Sequence, residues 1–536
     1  MQAPPADAPR QSRLPLLGGP LLAGCLVFNV AAASIGWGHT ILDTMSFRQC
    51  HTALSARFML GHQYRVLYET PLFGPPWTVP HEFPLYQWAV AGLSTTTGYP
   101  LDQSGRLVNR VFFLLSLFPC YSLLRMLGLP YWCRLVTLCL LLVSPFYVFW
   151  SRTFMMESTA LFFSLCYMAC CVSFAQAPRV STGLGALALG VLAALAKVTT
   201  FAGPVMVVGF LVLWLVARYL RGPLSGRGLA LRAATLGVAV AVPTACAFGW
   251  THLADEQMRQ NPLAVFLTSE NLRLWHYGKP GMRFEIQTWD VLLGRVTLVL
   301  GLPPQSYWLL LAAVLPGLVR DRRRALLVVG CLAVFFTPPF VFTSLHYYHE
   351  YYAFATNVFL IGAVGIGLAS LHEGGRGLRQ VGYGLTVTLL VLAPVGFWVT
   401  YVPVQRIDGG ESIPASAATE QCTRPEEVIV VLGDDYCSEV PYYSGRRALM
   451  IPFWHTVDWG HFSRYLGPLD GYRIGALVVH RRNGNGDQLT SDEHFATAEQ
   501  ALLERGYATR LCFRDGRYDV YRVDRQGSTS ARPGRE

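Results

Sequence analysis

Long apolar segments alternate with short polar segments along most of the chain, from residue 14 to residue 402. A helix needs about 20 mainly apolar residues to cross the hydrocarbon of a bilayer. The pattern therefore predicts an α-helical polytopic membrane protein with about eleven spans. The predicted spans cover residues 14–36, 107–127, 133–150, 158–176, 184–197, 199–219, 231–251, 305–319, 325–343, 353–371 and 381–402.

The apolar stretch at residues 83–98 decides the topology, because about 16 residues are marginal for a complete crossing. If the stretch stays at the membrane interface, the arginine-rich segments between spans all fall on one side, which the positive-inside bias makes cytoplasmic. If it crosses, the basic segments before it and those after it require opposite orientations of the chain in the membrane. We therefore predict a juxtamembrane helix here and a cytoplasmic N-terminus. The basic segments are Arg10 with Arg13, Arg125 with Arg134, Arg179, 218–232, 320–324, and Arg376 with Arg379.

This topology assigns three long polar segments to the outer side: a first loop at 37–106, a second loop at 253–304 and the tail from residue 403. The tail has the pattern of a small α/β domain. Residues 428–432 and 476–479 are predicted buried strands, and residues 494–505 form a predicted amphipathic helix. The predicted organisation is a membrane domain at 1–402, an extracytoplasmic α/β domain at 403–525 and a disordered end at 526–536.

Composition agrees with this organisation. The 536 residues are 52% hydrophobic and 14% charged, whereas soluble domains carry about 25% charged residues. The net charge of +10 comes largely from arginines in the segments between spans, so it reflects topology and does not indicate a nucleic-acid partner. Most of the 13 cysteines lie in apolar segments. In an oxidising compartment one pair among Cys422, Cys437 and Cys512 of the tail could bridge, and Cys422 with Cys437 is the pair that we expect.

Ionisable and polar residues recur at the outer ends of the predicted spans. Such residues are costly at a membrane boundary unless they face water, a partner or a ligand, so their convergence predicts a site on the outer face. The candidates are Asp43, Arg48, Gln49, Glu69, His81, Glu82, Arg152, Glu157, Lys197, His346, His349 and Glu350.

Each candidate also has a purely structural interpretation. Lys197 stands alone between two apolar segments, where it either binds an anion or extends its ammonium to the interface. Glu157 either orients a substrate or pairs with Arg152 at a helix start. The turn that begins at His346, with the sequence HYYHEYY, suits sugar stacking but also an interfacial aromatic belt. His346, His349 and Glu350 lack a clear third ligand, so we predict no metal site.

Several of these segments resemble a known family. Ser46-Phe-Arg-Gln-Cys-His-Thr-Ala, Tyr68-Glu-Thr-Pro and Glu82-Phe-Pro-Leu-Tyr-Gln are similar to the first outer loop of bacterial membrane glycosyltransferases of family 39. This family has the C-type fold and is related to the protein mannosyltransferases and aminoarabinose transferases. Ser144-Pro-Phe, Arg152-Thr-Phe-Met-Met-Glu and Ala196-Lys197 resemble its second-loop acidic motif and its basic residue near the lipid phosphate.

The resemblance implies an activity. Enzymes of the family transfer a sugar from a polyprenyl phosphate to a lipid, glycan or protein acceptor, with inversion in a direct displacement. The implied location is the outer face of the bacterial inner membrane, in contact with membrane lipids. No cofactor is implied with certainty, and a divalent cation remains open.

The resemblance also suggests roles for single residues. An outer-loop carboxylate acts as base, and Asp43 is our first choice because it follows the first span where the family has its first acidic residue. Aligning through Ala56-Arg57 instead puts Arg48-Gln49 where many members carry Asp-Glu, so Glu82 and Glu69 also remain candidates. Glu157 would orient the acceptor. Lys197 and Arg48 would bind the donor phosphate, and Arg152, His346, His349 and Glu350 would line the substrate site.

The alternative function is a lipid-linked-sugar flippase or transporter. Such proteins place ionisable residues near the middle of the membrane, break helices in pairs and contain an internal repeat. Here the charges lie mainly at the outer ends of spans, and the sequence has no evident repeat. A non-catalytic assembly protein would need neither a base nor cations for a phosphate. The pattern therefore favours a transferase.

Overall fold

The computed structural model describes residues 14–61, 63–453 and 459–526. Its larger part is a helical bundle, and its C-terminal part contains a five-stranded sheet. Arg10, Arg13 and nearly all of the predicted disordered end at 526–536 lie outside the described residues. The predicted fold class, a helical membrane protein with a small α/β domain, is confirmed.

The helices of the bundle follow one another with short connections. They are α1 Leu14–Ala33, α2 Ser46–Arg57, α3 Leu85–Thr97, α4 Leu101–Met126, α5 Tyr131–Val143, α6 Pro145–Trp150, α7 Glu157–Gln176, α8 Val180–Ala196, α9 Ala202–Leu220, α10 Gly226–Arg259, α11 Arg273–Tyr277, α12 Ile286–Val299, α13 Tyr307–Arg320, α14 Arg322–Val341, α15 Thr343–Tyr348, α16 Asn357–His372, α17 Arg376–Thr400 and α18 Val402–Gln405.

Within the described ranges, 6 helices are long and apolar enough to cross a membrane, and five shorter apolar helices accompany them. Each of the predicted spans overlaps one of these helices. The span predicted at 133–150 is divided into α5 and α6. Pro145 begins α6, and the hydroxyl of Ser144 accepts a hydrogen bond from the backbone of Tyr147 at 3.4 Å. This N-cap with a following proline starts a new helix, which hydrophobicity alone does not reveal.

The helix that decides the topology is α3. It has 13 residues and ends at Gly98, whose φ of 70° suits a glycine C-cap. At about 1.5 Å per residue such a helix is about 20 Å long, and among the described residues it does not belong to the five shorter apolar helices. The structure thus agrees with a juxtamembrane helix, while the orientation of the chain in the membrane stays a prediction.

The C-terminal domain is a mixed sheet covered by short helices. Its elements are α19 Ile413–Cys422, β1 Val428–Leu432, α20 Glu439–Ser444, β2 Arg447–Ile451, α21 Ser463–Leu466, β3 Ile474–His480, α22 Asp492–Glu504, β4 Tyr507–Arg514 and β5 Tyr518–Arg525. The strand order is β2-β1-β3-β5-β4. Strand β1 runs parallel to β2 and β3, and β5 runs antiparallel to β3 and β4. All residues of β1 are buried, as expected for a central parallel strand.

The first outer loop continues this sheet beyond β2. The backbone of Ala448 donates to Pro71 at 3.0 Å, that of Met450 donates to Leu72 at 2.8 Å, and that of Gly74 donates to Ala448 at 3.2 Å. The polar face of the membrane domain and the C-terminal domain are therefore joined by backbone hydrogen bonds.

The expected pair of tail cysteines is wrong. Every described cysteine is a free thiol, and Cys422 lies beside Cys512 and not beside Cys437. Cys422 ends α19, which packs on β4 and β5, whereas Cys437 follows β1 and lies near Cys50 of α2. Spacing in the sequence did not predict this packing.

Candidate active site

An ion pair joins the start of α2 to the segment before α3. Arg48, on the first turn of α2, pairs through Nη2 with Oε1 of Glu82, and both side chains are partly buried. The hydroxyl of Tyr68 donates to the backbone carbonyl of Glu82 at 2.9 Å and accepts from the backbone of His81 at 2.8 Å. Two of the segments that carry the family resemblance thus hold the Glu82 carboxylate in place.

A second ion pair lies between the membrane helices. Glu157 begins α7, and Lys197 follows the last residue of α8. The Lys197 ammonium pairs with Glu157 Oε1, and both side chains are buried. The ammonium also lies 4.0 Å from the ring centre of Tyr352 and 5.1 Å from that of Tyr351. This is cation–π geometry, which stabilises a desolvated cation.

The two ion pairs belong to one electrostatic cluster. Burial alone would raise the pKa of Glu82, but the charges of Arg48, His81 and Lys197 hold it below its usual value. Burial lowers the pKa of Lys197, and the adjacent Glu157 only partly offsets this effect. Glu82 is therefore an ionised carboxylate at neutral pH, within reach of the fields of two cations.

Asp43 occupies a different environment. Its Oδ1 accepts hydrogen bonds from Gln49 Nε2 at 2.8 Å and from the backbone of Thr44 at 2.9 Å. Its Oδ2 accepts from Arg152 at 2.8 Å and lies 3.8 Å from Arg106. With both oxygens engaged and the side chain 2% exposed, Asp43 connects α2 with the turn before α7 and the start of α4.

The partners of Asp43 fix the backbone around the first loop. Arg106 donates to the carbonyls of Gly36, Trp37, His39 and Thr40 at 2.6 to 3.2 Å. Arg152 donates to Gly36 at 3.0 Å. The amide of Gln49 accepts from the backbone of Phe154 at 2.8 Å. These contacts join the end of the first span to α2, which presents Arg48.

The HYYHEYY turn contributes neutral histidines and aromatic rings. Burial lowers the pKa of His346 to about 3 and that of His349 to about 4, and the nearby Lys197 acts in the same direction. Glu350 accepts from Trp150 at 3.0 Å and from Tyr401 at 3.3 Å. At neutral pH the imidazoles therefore supply hydrogen bonds but no charge.

A small cavity lies beside this turn. Its polar lining residues include Arg295, His346 and Glu350. Its remaining wall is largely apolar and comes from α12 and α14, with Trp289, Leu292, Val296, Phe335 and Phe336 among the lining residues. A molecule with a polar head and an apolar tail matches this distribution.

The structure does not bring every predicted residue into the cluster. Glu69 pairs with Arg447 of β2 at 2.6 Å and with Arg65 at 3.7 Å, so it links the first loop to the C-terminal domain. Arg106 was not among the candidates, although it is an isolated charge at a span end, the same signal that selected Asp43. Tyr351 and Tyr352 lie in the turn singled out from the sequence but had no assigned role.

A metal site is not evident in the part of the chain that the structure describes. There, no three His, Cys, Asp or Glu side chains are grouped so that they could hold an ion.

The same region of the chain matches a known family. Residues 37–254 match the family model described as dolichyl-phosphate-mannose-protein mannosyltransferase. This range contains Arg48, Glu82, Glu157 and Lys197. A comparison with curated proteins finds no match.

Solved structures share the fold over nearly the whole chain. ArnT from Cupriavidus metallidurans bound to undecaprenyl phosphate is 14% identical, with a TM-score of 0.58 over 93% of this chain and 98% of that one. Its apo state is 14% identical, with a TM-score of 0.59 and coverage of 95% and 98%. Arabinofuranosyltransferase AftD from Mycobacteria is 13% identical, with a TM-score of 0.51 over 96% of this chain and 40% of that one.

At these identities the structural likeness shows the fold. The resemblance to membrane glycosyltransferases of family 39 with the C-type fold, inferred from the sequence, is confirmed by the family match together with this fold.

Proposed function

We propose that this chain, which has the C-type glycosyltransferase fold, is an enzyme that transfers a sugar from a polyprenyl phosphate to an acceptor hydroxyl. The transfer would invert the anomeric centre and take place on the extracytoplasmic side of a bacterial inner membrane. One observation carries the proposal. Two carboxylates and two cations, Glu82 with Arg48 and Glu157 with Lys197, form one cluster near a largely apolar cavity. Such a set provides both a base and a site for a phosphate.

The donor fits this arrangement by its chemistry. A polyprenyl tail is apolar and would lie along the apolar wall that α12 and α14 form, while the phosphate would reach the cations. The ammonium of Lys197 is a point charge, and the guanidinium of Arg48 presents two donors in one plane. ArnT, which shares the fold, has been solved with undecaprenyl phosphate, and this supports the same class of ligand here.

Glu82 is the base that we propose. Its carboxylate is ionised and partly exposed, and it makes one ion pair. Asp43 is buried among two arginines and an amide, so it is better placed to position α2 than to approach a substrate. The role of base for Asp43 stays a prediction from the family resemblance.

The reaction then balances as a direct displacement. Glu82 takes the proton of the acceptor hydroxyl while the oxygen of that hydroxyl forms a bond to the anomeric carbon. The bond between that carbon and the phosphate oxygen breaks, and the electron pair leaves with the phosphate. Lys197 and Arg48 stabilise the charge that develops there, and Glu157 holds Lys197 in position.

The test is sugar transfer by purified protein in lipid nanodiscs, with a panel of radiolabelled polyprenyl-phosphate sugars and membrane-extract acceptors. We expect Glu82→Gln to lower kcat by about 10²- to 10⁴-fold, because a general base contributes about that factor. Glu69→Gln is the matched control, since its partner is Arg447, and it should stay within about threefold of wild type.

A fully active Glu82→Gln variant would show that Glu82 is not the base. If no donor in the panel is used, and unmodified lipid-sugar instead crosses the bilayer of sealed proteoliposomes, the protein is the flippase of the alternative interpretation.

A further inference from the structure

The four charged side chains of the cluster sum to zero net charge. Arg48 and Lys197 contribute two positive charges, and Glu82 and Glu157 contribute two negative ones. A polyprenyl-phosphate sugar is a phosphodiester and brings one more negative charge. Adding an unpaired anion to a buried neutral site is costly. One carboxylate must therefore give up its cation when the phosphate enters.

The two ion pairs differ in how readily they can open. The side chains of Lys197 and Glu157 are 4% and 1% exposed, and Lys197 is also fixed above the Tyr352 ring. Among the described residues, Glu157 Oε2 has no hydrogen-bond partner, so losing Lys197 would leave a buried carboxylate unpaired. That pair is the costlier one to separate.

The other pair has a lower cost of separation. Arg48 and Glu82 are 16% and 21% exposed, and Glu82 engages the Nη2 end of the guanidinium. Without Arg48, Glu82 would still feel the positive charge of Lys197, and it could accept a hydrogen bond from an acceptor hydroxyl. The guanidinium, for its part, suits bidentate binding of a phosphate.

We propose that the donor phosphate displaces Glu82 from Arg48, so that the base is released only once the donor is bound. This inference rests on the proposed function and adds an order to it. Arg48 restrains Glu82 in the empty site, and after the exchange Glu82 is free to deprotonate the acceptor. The donor therefore binds before the acceptor reacts.

The first test measures binding of undecaprenyl phosphate alone to the protein in nanodiscs. Because Glu82 competes with the phosphate for Arg48, Glu82→Gln should bind the lipid about tenfold more tightly than wild type, a difference of about 1.4 kcal/mol. Arg48→Gln should bind it about tenfold more weakly. The double variant should bind like Arg48→Gln, since the competition no longer exists. Glu69→Gln, whose partner is on β2, should not change the affinity.

The second test needs no variant. Separation from Arg48 raises the pKa of Glu82, since a nearby cation favours the carboxylate. The acid limb of kcat, which reports the complex, should therefore lie at a higher pH than the acid limb of kcat/KM for the donor, which reports the free enzyme. Coincident limbs would contradict the exchange even if Glu82→Gln failed to fold.

The two proposals fail in different ways. Wild-type protein that neither binds undecaprenyl phosphate nor transfers a sugar overturns the proposed function. Wild-type protein that does both, together with a Glu82→Gln variant that binds the lipid no more tightly, overturns the exchange alone. Tighter binding by Glu157→Gln in place of Glu82→Gln would show that the buried pair opens, and would likewise overturn it.

Discussion

At the scale of the residue, Asp43 and Glu82 show how surroundings separate two carboxylates of the same loop. Asp43 is enclosed by Arg152, Arg106 and Gln49, whereas Glu82 is partly exposed and makes one ion pair. The enclosed carboxylate can neither turn towards a substrate nor lose its charge without leaving two buried arginines unpaired. It acts on the site by holding α2.

This assignment predicts the behaviour of Asp43→Asn. We expect the midpoint of thermal unfolding to fall, because removing one partner from a buried ion pair costs about 3 to 5 kcal/mol. Transfer by the folded fraction should keep the pH dependence of wild type, since the proposed base, Glu82, is unchanged in this variant. Thermal unfolding in detergent and a pH profile of kcat measure both effects. Unchanged stability with complete loss of kcat would instead make Asp43 the base.

The residue types of this site were predictable from sequence, but their pairing was not. Charges near span ends pointed to Asp43, Glu157 and Lys197, and charges within the first loop pointed to Arg48 and Glu82. The interpretation of Glu157 with Arg152 as a local pair is wrong, because Glu157 pairs with Lys197, 40 positions away, and Arg152 pairs with Asp43, 109 positions away. Those partners depend on how helices pack, which no local pattern encodes.

At the scale of the element, the C-terminal domain depends on one buried carboxylate. Glu427, just before β1, accepts from both ends of the Arg522 guanidinium on β5 at 2.5 and 3.0 Å. Arg473, just before β3, lies 2.9 Å from the same carboxylate. These contacts tie together three segments of one sheet.

We predict that Glu427→Gln destabilises the domain by about 3 kcal/mol, because it removes the buried carboxylate that pairs with both terminal nitrogens of Arg522 and leaves that arginine only the half-exposed Asp524. Asp470→Asn is the control, since its pair with Arg505 is exposed and should change stability by less than about 1 kcal/mol. Limited proteolysis of the full chain, followed with an antibody to the tail, reports the difference. Equal protease sensitivity of the two variants would contradict the assignment.

The pH dependence has a defined sign. Burial by itself would raise the pKa of Glu427, but the hydrogen bonds from Arg522 and the backbone of Arg424 hold it below its usual value. Its contribution to stability is therefore complete above the pKa of the unfolded chain and is lost as the pH falls through the lowered pKa of the folded domain. Wild type should become protease-sensitive in acid, and Glu427→Gln should lose this dependence.

Elements were predicted well where their periodicity was strong. Strand β1 was found with its correct bounds, and α22 within two residues. Strands β4 and β5 were missed, because their alternation is interrupted by arginines such as Arg510 and Arg522 that pair with acidic groups or face solvent. The break between α5 and α6 was also missed, since both sides of it are apolar.

At the scale of the whole molecule, the membrane domain and the C-terminal domain meet around the first loop. Tyr436, in the connection that follows β1, lies 4.8 Å from the ring of Phe47, 5.3 Å from Phe266 and 6.0 Å from Phe73. Phe47 precedes Arg48 on α2. Aromatic rings from both domains therefore meet beside Arg48.

Aromatic faces bind the apolar faces of sugars and other ring systems. We therefore predict that Tyr436→Ala raises the KM for the acceptor by about tenfold, and that the affinity for undecaprenyl phosphate stays unchanged. Tyr436→Phe, which keeps the ring, is the matched control. Loss of lipid binding in Tyr436→Ala would show that this residue supports the donor side of the site.

The proposed orientation can be tested with thiols. Cys512 on β4 is exposed, so a membrane-impermeant maleimide should label it in intact spheroplasts after mild reduction. Arg227, an exposed residue on the first turn of α10, should be cytoplasmic. A variant with Arg227→Cys and Cys512→Ser should be labelled only after the membrane is opened. If the cysteine at position 227 were labelled in intact spheroplasts and Cys512 were not, the topology would be the reverse of the one predicted from the positive-inside bias.

The backbone hydrogen bonds between residues 71–74 and β2 also matter for engineering. An unpaired sheet edge can associate with other chains. Here residues 71–74, which are synthesised early, pair with the β2 edge, which is synthesised several hundred residues later. A chimera that exchanges only the tail between two such enzymes would pair its sheet with a foreign segment. The first loop and the tail therefore form one exchangeable unit, and a graft intended to change the acceptor has to carry both.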